Sequence, residues 1–429
     1  MSLFLETLRE GLLFLDGAMG TQLQAADLPP APYPERYNLT HPEAIRAIHK
    51  KYLDAGANVI SACTFGAYSH KVTDLEAVIA AAMANAKAAI AESGRENCFA
   101  ALDMGPTGKL LAPVGDTPFD VVYNIFKQTA MLGAKNGADC VIIETMMDLY
   151  EMKAAVLAVR ENTELPVLCS FAYEKNGRTL TGGGPEATVV LCEALGACAV
   201  GVNCGAGPDF AADIAGALLR HASVPVLVQP NAGLPRVADG VTMFDLSAAD
   251  YAAGMAAIAE KGARVLGGCC GTTPGHIAAM AARCGGLAAV PVTPKGRTRI
   301  CTNGAVFDLA GEAEYALLSA EDGEVLEALR DGDMFGITDV AIERKADGAD
   351  VLIVRIGAEG LNEAALMPGV IDAIQGAAAM PMQIETACPD AQAAALRTLN
   401  GVAAVKPLSA ECAARAGALV ARYGGVVVQ

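Results

Sequence analysis

Residues 140–171 read CVIIETMMDLYEMKAAVLAVRENTELPVLCSF. A short β-branched run (CVIIET, 140–145) passes into a longer amphipathic segment, and a second such run (VLCSFAY, 167–173) follows. Runs of that length bounded by turn residues read as buried strands, and the segment between them as a helix. The same unit repeats outward in both directions across residues 1–284. Further strand candidates are LLFLDG (12–17), NVISACTF (58–65), FAALDMG (99–105), AVGVNC (199–204), VLVQPN (226–231) and RVLGGCC (264–270). Glycines closing PEAIRAIHKKYLDAG and TPFDVVYNIFKQTAMLGAKNG mark helix ends. Eight alternating units predict a (β/α)8 TIM barrel, with a doubly wound eight-stranded sheet as the alternative.

After Cys284 the stretch GGLAAVPVTPKGRT (285–298) is rich in Gly and Pro and reads as a linker. The remainder, 299–429, alternates again, with strand candidates RICTNGAV (299–306), VLIVRI (351–356), MPMQIET (380–386), VAAVKPL (402–408) and GVVVQ (425–429). Five units are too few to close such a barrel. A smaller, incomplete, half-barrel-like α/β domain is therefore expected there, making three segments: 1–284, the linker 285–298, and 299–429.

The 429 residues carry 31 basic against 48 acidic side chains, a net charge of −17, which argues against a nucleic-acid partner. No run reaches the roughly 18 apolar residues of a membrane span. MSLFLETLREG has no export-type apolar core, so a cytoplasmic location is expected. Thirteen cysteines without paired spacing are expected to be mostly reduced, and Cys140, Cys169 and Cys192 read as small core residues.

In barrels of this kind chemistry sits at the C-terminal ends of strands. Those ends carry Asp16, Glu144, Cys204, Asn231 and the adjacent pair Cys269-Cys270. Neighbours on a strand point to opposite sides, so both thiols reach one ion only where the strand ends and turns; Gly267, Gly268 and Gly271 permit that. Three thiolates with an open fourth position suit zinc. The alternative is that these are buried cysteines in a Gly-rich strand. Glu144 would otherwise be a structural ion pair, Asp16 a turn organiser and Asn231 a turn residue. His276 reads as structural, and Thr21 and Gln22 are unassigned.

LDGAMGTQLQ, GPTGKLLAPVGD, IIETMMDLYEMKAAV, GRTLTGGGPEA, GVNCGAGP, PNAGLP and GGCCGTTPGHI occur in order over residues 10–284. Together they resemble the homocysteine S-methyltransferase family, most of all the homocysteine-binding domain of cobalamin-dependent methionine synthases. The resemblance implies zinc ligands Cys204, Cys269 and Cys270. It implies that Asp16, the backbone of Gly17 and Ala18, and Glu144 hold the substrate's amino and carboxylate ends, with Asn231 near the metal's open position. One departure stands on the second strand: the family's ETNTF is Ser61-Ala62-Cys63-Thr64-Phe65 here, so an acid and an amide are missing.

Residues 299–429 resemble, more weakly, the folate-binding barrel of those enzymes. Arg355, Glu385 and Lys406 stand where that family carries Asn, Asp and Asn, so no methyltetrahydrofolate site is expected. No DxHxxG stretch of a cobalamin module occurs in these residues. The resemblance thus implies homocysteine methylation to methionine, with the methyl group from a methyl-cobalamin or other corrinoid on a separate protein. The other readings are a sulfonium donor such as S-methylmethionine, or a non-catalytic scaffold subunit of a corrinoid system. A homo-oligomer is a further expectation.

Overall fold

Eight short parallel strands form the first sheet: β1 (Leu13–Phe14), β2 (Val59–Ser61), β3 (Phe99–Met104), β4 (Cys140–Met146), β5 (Val167–Phe171), β6 (Ala199–Cys204), β7 (Val226–Pro230) and β8 (Val265–Leu266). The computed structural model describes residues 2–429 apart from 27, 30, 32, 239, 240 and 297. Strands pair in the order β1-β8-β7-β6-β5-β4-β3-β2. The ends meet: Leu15 bridges Val59 in parallel, Asn58 N donates to Phe14 O at 2.6 Å, and Asp16 N donates to Val59 O at 3.1 Å. The sheet therefore closes on itself as a TIM-like barrel, and the doubly wound alternative is excluded.

Helix α1 (Leu3–Glu10) plugs the N-terminal end, its Phe4 ring edge-on to Phe99 at 5.3 Å. The outer ring comprises α2 (Pro42–Asp54), α3 (Leu75–Ser93), α4 (Phe119–Lys135), α5 (Leu149–Asn162), α6 (Pro185–Ala194), α7 (Pro208–His221), α8 (Ala248–Glu260) and α9 (Pro274–Cys284). Four of these start on proline, whose missing N–H costs nothing at a helix's first position.

Alternation along the strands divides the interior. Leu13, Val59, Phe99, Ala101, Cys140, Ile142, Leu168, Ala199, Leu227 and Val265 fill the lumen with Phe4 and Leu8. The intervening residues, such as Ala100, Leu102, Val141 and Ile143, pack outward against the helices. Small residues let the helices lie close: a Cβ on Gly133 of α4 would sit 2.5 Å from Leu102.

The second sheet holds β9 (Arg299–Thr302), β10 (Val306–Asp308), β11 (Tyr315–Ser319), β12 (Val351–Arg355), β13 (Met382–Thr386), β14 (Gly401–Pro407) and β15 (Gly425–Val427). Strands β11 to β15 run parallel in sequence order, an open half-barrel. Helices α10 (Gly323–Asp331), α11 (Met334–Ala346), α12 (Glu363–Ala377), α13 (Pro389–Thr398) and α14 (Ala410–Tyr423) connect them.

Two strand readings are corrected here. RICTNGAV is not one strand: Asn303-Gly304, a strong reverse-turn pair, folds it into an antiparallel hairpin whose first arm joins β14. YALLS (315–319) is a strand that the pattern between acidic neighbours did not announce. The half-barrel lies against the first barrel. Helix α5 is buried from Leu149 through Val159 because it is covered from both sides. Among the described residues, no helix is long and apolar enough to cross a membrane.

Candidate active site at the barrel mouth

The strands that line the lumen with apolar side chains carry polar ones two residues further on, at the C-terminal end. Val59 is followed on the inward side by Ser61, Ala101 by Asp103, Ile142 by Glu144, Leu168 by Ser170, and Leu227 by Gln229. On β6, Ala199 is followed by Gly201 and Asn203; past β8, Val265 is followed by Gly267 and Cys269. This layer floors a cavity of about 380 Å³ whose walls include Asp16, Gly17, Ala18, Glu35, Cys63, Phe65, Thr145, Cys204 and Cys270.

Cys204, Cys269 and Cys270 converge there, their sulfurs all within 4.8 Å of one another. Cys204 Sγ is 3.0 Å from Cys269 Sγ, and Cys269 Sγ is 3.9 Å from Cys270 Sγ. Strand β8 stops at Leu266, so both neighbouring thiols lie in the turn that follows, which frees them from strand alternation. That turn is held on every side. Cys269 N donates to Pro230 O at 3.0 Å, Ala232 N to Cys270 O at 3.0 Å, and Tyr251 OH to Gly267 O at 2.6 Å. Thr272 Oγ1 donates to Cys269 O at 2.7 Å, and Gly271 N donates to Thr21 Oγ1 at 3.1 Å. Gly271 is left-handed (φ +79°) and a Cβ there would meet the Phe244 ring at 2.2 Å, so glycine is required.

Cys204 itself has φ 60°, as does Thr145 at the end of β4, a conformation non-glycine residues adopt at a cost. Asn203 stabilises both ends: Oδ1 accepts from Thr145 N and Ser170 Oγ at 2.8 Å each, while Nδ2 donates to Thr145 Oγ1 at 2.7 Å. Buried and fully hydrogen-bonded, Asn203 ties β4, β5 and β6 beneath the thiols.

Four carboxylates share the cavity. Asp16 accepts from Ser61 N at 2.9 Å and Ser61 Oγ at 3.0 Å; burial nevertheless pushes it up to about 8. Burial, then the Cys270 charge, raises Glu144 to about 7, opposed by a long 3.5 Å bond from Gln229 Nε2. Glu35 accepts from Gly66 N at 2.7 Å. Asp103 stands well above the usual carboxylate range through burial and the charges of Glu144, Asp16 and Glu35. Among the described residues lining the cavity there is no Lys, Arg or His. Of the thiols, Cys270 is drawn down to about 3 by hydrogen bonds from Cys204 and Cys269.

A family model described as homocysteine S-methyltransferase matches residues 13–284. The chain belongs to the homocysteine S-methyltransferase family. That match covers more than half of its length and the whole of the first barrel. Methionine synthases of Mycobacterium tuberculosis and Mycobacterium leprae are 29% and 30% identical to it, over 99% of this chain and 38% of each relative. The chain thus spans 38% of the length of those curated relatives. In solved structures, homocysteine methyltransferase MmuM from Escherichia coli shares the fold. Its oxidised form superposes with a TM-score of 0.55 at 23% identity over 63% of this chain and 96% of that one, and its metallated form with 0.55 at 24% over 64% and 97%.

Seen within this family, the residues singled out in the sequence divide in two. Asp16, Gly17, Ala18, Glu144, Cys204, Cys269 and Cys270 all line the cavity. The Ala18 N–H is engaged by Thr272 Oγ1 at 3.1 Å. Asn231 does not line it; its Nδ2 donates to Gly205 O at 2.6 Å and so holds the loop after Cys204. His276 caps α9 together with Thr273, a structural position. Reading only strand ends passed over Asp103, Gln229 and Asn203. Inward parity along each strand was the signal that finds them.

Proposed function

We propose that this chain methylates the sulfur of homocysteine to give methionine, at a zinc ion held by Cys204, Cys269 and Cys270. The observation that carries the reading is three sulfurs from two strand ends within 4.8 Å of one another at the mouth of an acidic cavity. The donor set fits the ion: sulfurs bound at about 2.3 Å in a tetrahedron stand about 3.8 Å apart, and these stand at 3.0 and 3.9 Å. Zinc, when bound, supplies a substrate thiol that stays deprotonated at neutral pH.

The chain's own residues do the rest. Gly267, Gly268 and Gly271 shape the turn that presents Cys269 and Cys270. Asp16 and Glu144 face the cavity as carboxyl oxygens able to accept from the substrate's ammonium, whose charge would favour their ionised forms, and the backbone of Gly17 and Ala18 forms the wall beside its carboxylate. The apolar rim, with Phe65 on one side, screens the reacting thiol from water.

We assign the methyl donor to a methyl-corrinoid carried by a separate protein. The alignment to methionine synthases across both sheets supports that choice over a sulfonium. The test is methionine formation from L-homocysteine by zinc-loaded protein, with methylcobalamin and with S-methylmethionine in parallel. Turnover with methylcobalamin is expected. Turnover with S-methylmethionine alone would reassign the donor, and none with either would leave a scaffold role.

A further inference from the structure

We propose that Asp103 binds the ammonium group of the amino-acid substrate, supplying from β3 the acid that β2 lacks. This rests on the homocysteine reading above and adds a residue to it. Asp103 is only 7% exposed, lines the cavity, and its Oδ1 has no donor among the described residues. Its backbone is nevertheless pinned, with Asp103 N donating to Thr64 Oγ1 at 3.1 Å and Thr64 Oγ1 donating to Asp103 O at 2.8 Å. The carboxylate is thus held in place while no described residue serves that oxygen. Buried polar groups are almost always paired, so an unpaired one aimed into a cavity marks where a ligand donates.

The other three acids of the cavity are engaged: Asp16 by Ser61, Glu35 by Gly66 N, Glu144 by Gln229. Among the described residues no basic side chain lines the wall, so a positive charge that would draw Asp103 into its ionised form comes with the ligand. An α-ammonium fits, since it carries three N–H donors and a full charge. The change on β2 explains the arrangement. Ser61 is shorter than an acid and directs its hydroxyl to Asp16. Ser61 pairs with Ala101, and Asp103 stands two residues further along β3 on the same inward face.

The experiment compares two thiols by calorimetry on zinc-loaded protein: L-homocysteine, and 4-mercaptobutyrate, which is the same molecule without its amino group. Wild type should prefer homocysteine. Asp103→Asn should weaken homocysteine by about tenfold to a hundredfold, the range for a charge-assisted hydrogen bond, yet bind 4-mercaptobutyrate as wild type does. Zinc content and melting temperature of the same samples establish that the variant is folded, and Asp103→Ser gives a second removal of the carboxylate if it is not. Unchanged homocysteine affinity in the variant, or an equal loss for both thiols, would overturn the assignment of Asp103. Wild-type protein that carries zinc but binds neither thiol would instead overturn the homocysteine reading itself.

Discussion

Cys269 occupies the inward position that continues β8, Cys270 the next place in the turn, and Cys204 a left-handed position at the end of β6. With thiols from two elements, removal of either arm leaves too few donors for tight zinc binding. Elemental analysis of protein purified without chelator should give one zinc per chain. A Cys269→Ala, Cys270→Ala double variant should give none while keeping its circular dichroism, because the ligands lie outside the packed lumen. Full zinc in that variant would refute the site. Glu144 is proposed to serve a different partner, the substrate's ammonium. Gln229 and the thiols are beside it, and among the described residues lining the cavity there is no basic side chain, so Glu144→Gln should keep zinc and lose about tenfold to a hundredfold in homocysteine affinity. Equal affinity would make Glu144 structural. Asp103 escaped the sequence reading because it is followed by Met104 within the strand and looked like one more strand residue. Its inward parity with Phe99 and Ala101 shows otherwise.

The ends of β4 and β6 depend on one amide. Asn203 receives Thr145 N and Ser170 Oγ and donates to Thr145 Oγ1, holding Thr145 at φ 60° next to Glu144 and lying one residue before Cys204. Asn203→Ala would leave the part-buried Thr145 N–H unpaired and should lower unfolding free energy by about 1–3 kcal/mol in urea titration. Because the same bonds set the positions of Glu144 and Cys204, a competing chelator should strip zinc from this variant more easily than from wild type. Stability loss with unchanged chelator resistance would confine Asn203 to a packing role. Residue pattern announced the elements here, but not where they end. GGCC continues an apolar run in sequence, yet the two glycines allow the chain to leave β8 after Leu266.

The two sheets are joined through a buried amine. Lys153 of α5 is fully buried, and its Nζ donates to Leu396 O at 2.6 Å, Leu399 O at 2.7 Å and Gly401 O at 3.4 Å, the carbonyls where α13 ends and β14 begins. A helix C-terminus favours positive charge, but burial lowers Lys153 from 10.5 to about 7. Between those values the unfolded chain binds the extra proton, so this group's contribution rises with pH from about 7 and is lost as pH falls back through it. The stability difference between wild type and Lys153→Met should therefore grow in favour of wild type between pH 7 and pH 9. At neutral pH the variant should be less stable by about 1–3 kcal/mol, since three carbonyls lose their donor. A difference independent of pH would show that the carbonyls hold the ammonium charged throughout. At the far end of the half-barrel, Arg355 Nε donates to the buried Glu385 Oε2 at 3.0 Å, and Gln383 Nε2 donates to its other oxygen at 2.7 Å. This strand-end face presents an ion pair, with the Gln383 amide already engaged, where a pterin ring would need neutral amides. Calorimetry with methyltetrahydrofolate should show no binding; micromolar affinity would refute this.

Periodicity by itself announced eight alternating units but left a doubly wound sheet open beside the barrel, because unbroken apolar runs with amphipathic helices between them suit any parallel sheet buried on both faces. It also put Cys204, Cys269 and Cys270 at strand ends beside glycines, with buried core cysteines as the alternative reading. What only the tertiary structure decided was everything that depends on neighbours far apart in the chain. The closure of β1 on β2, the carbonyls around Lys153 and the unserved oxygen of Asp103 each rest on contacts between segments tens to hundreds of residues apart. A sequence lists donors and acceptors, but whether a buried one is paired is a property of the packed molecule.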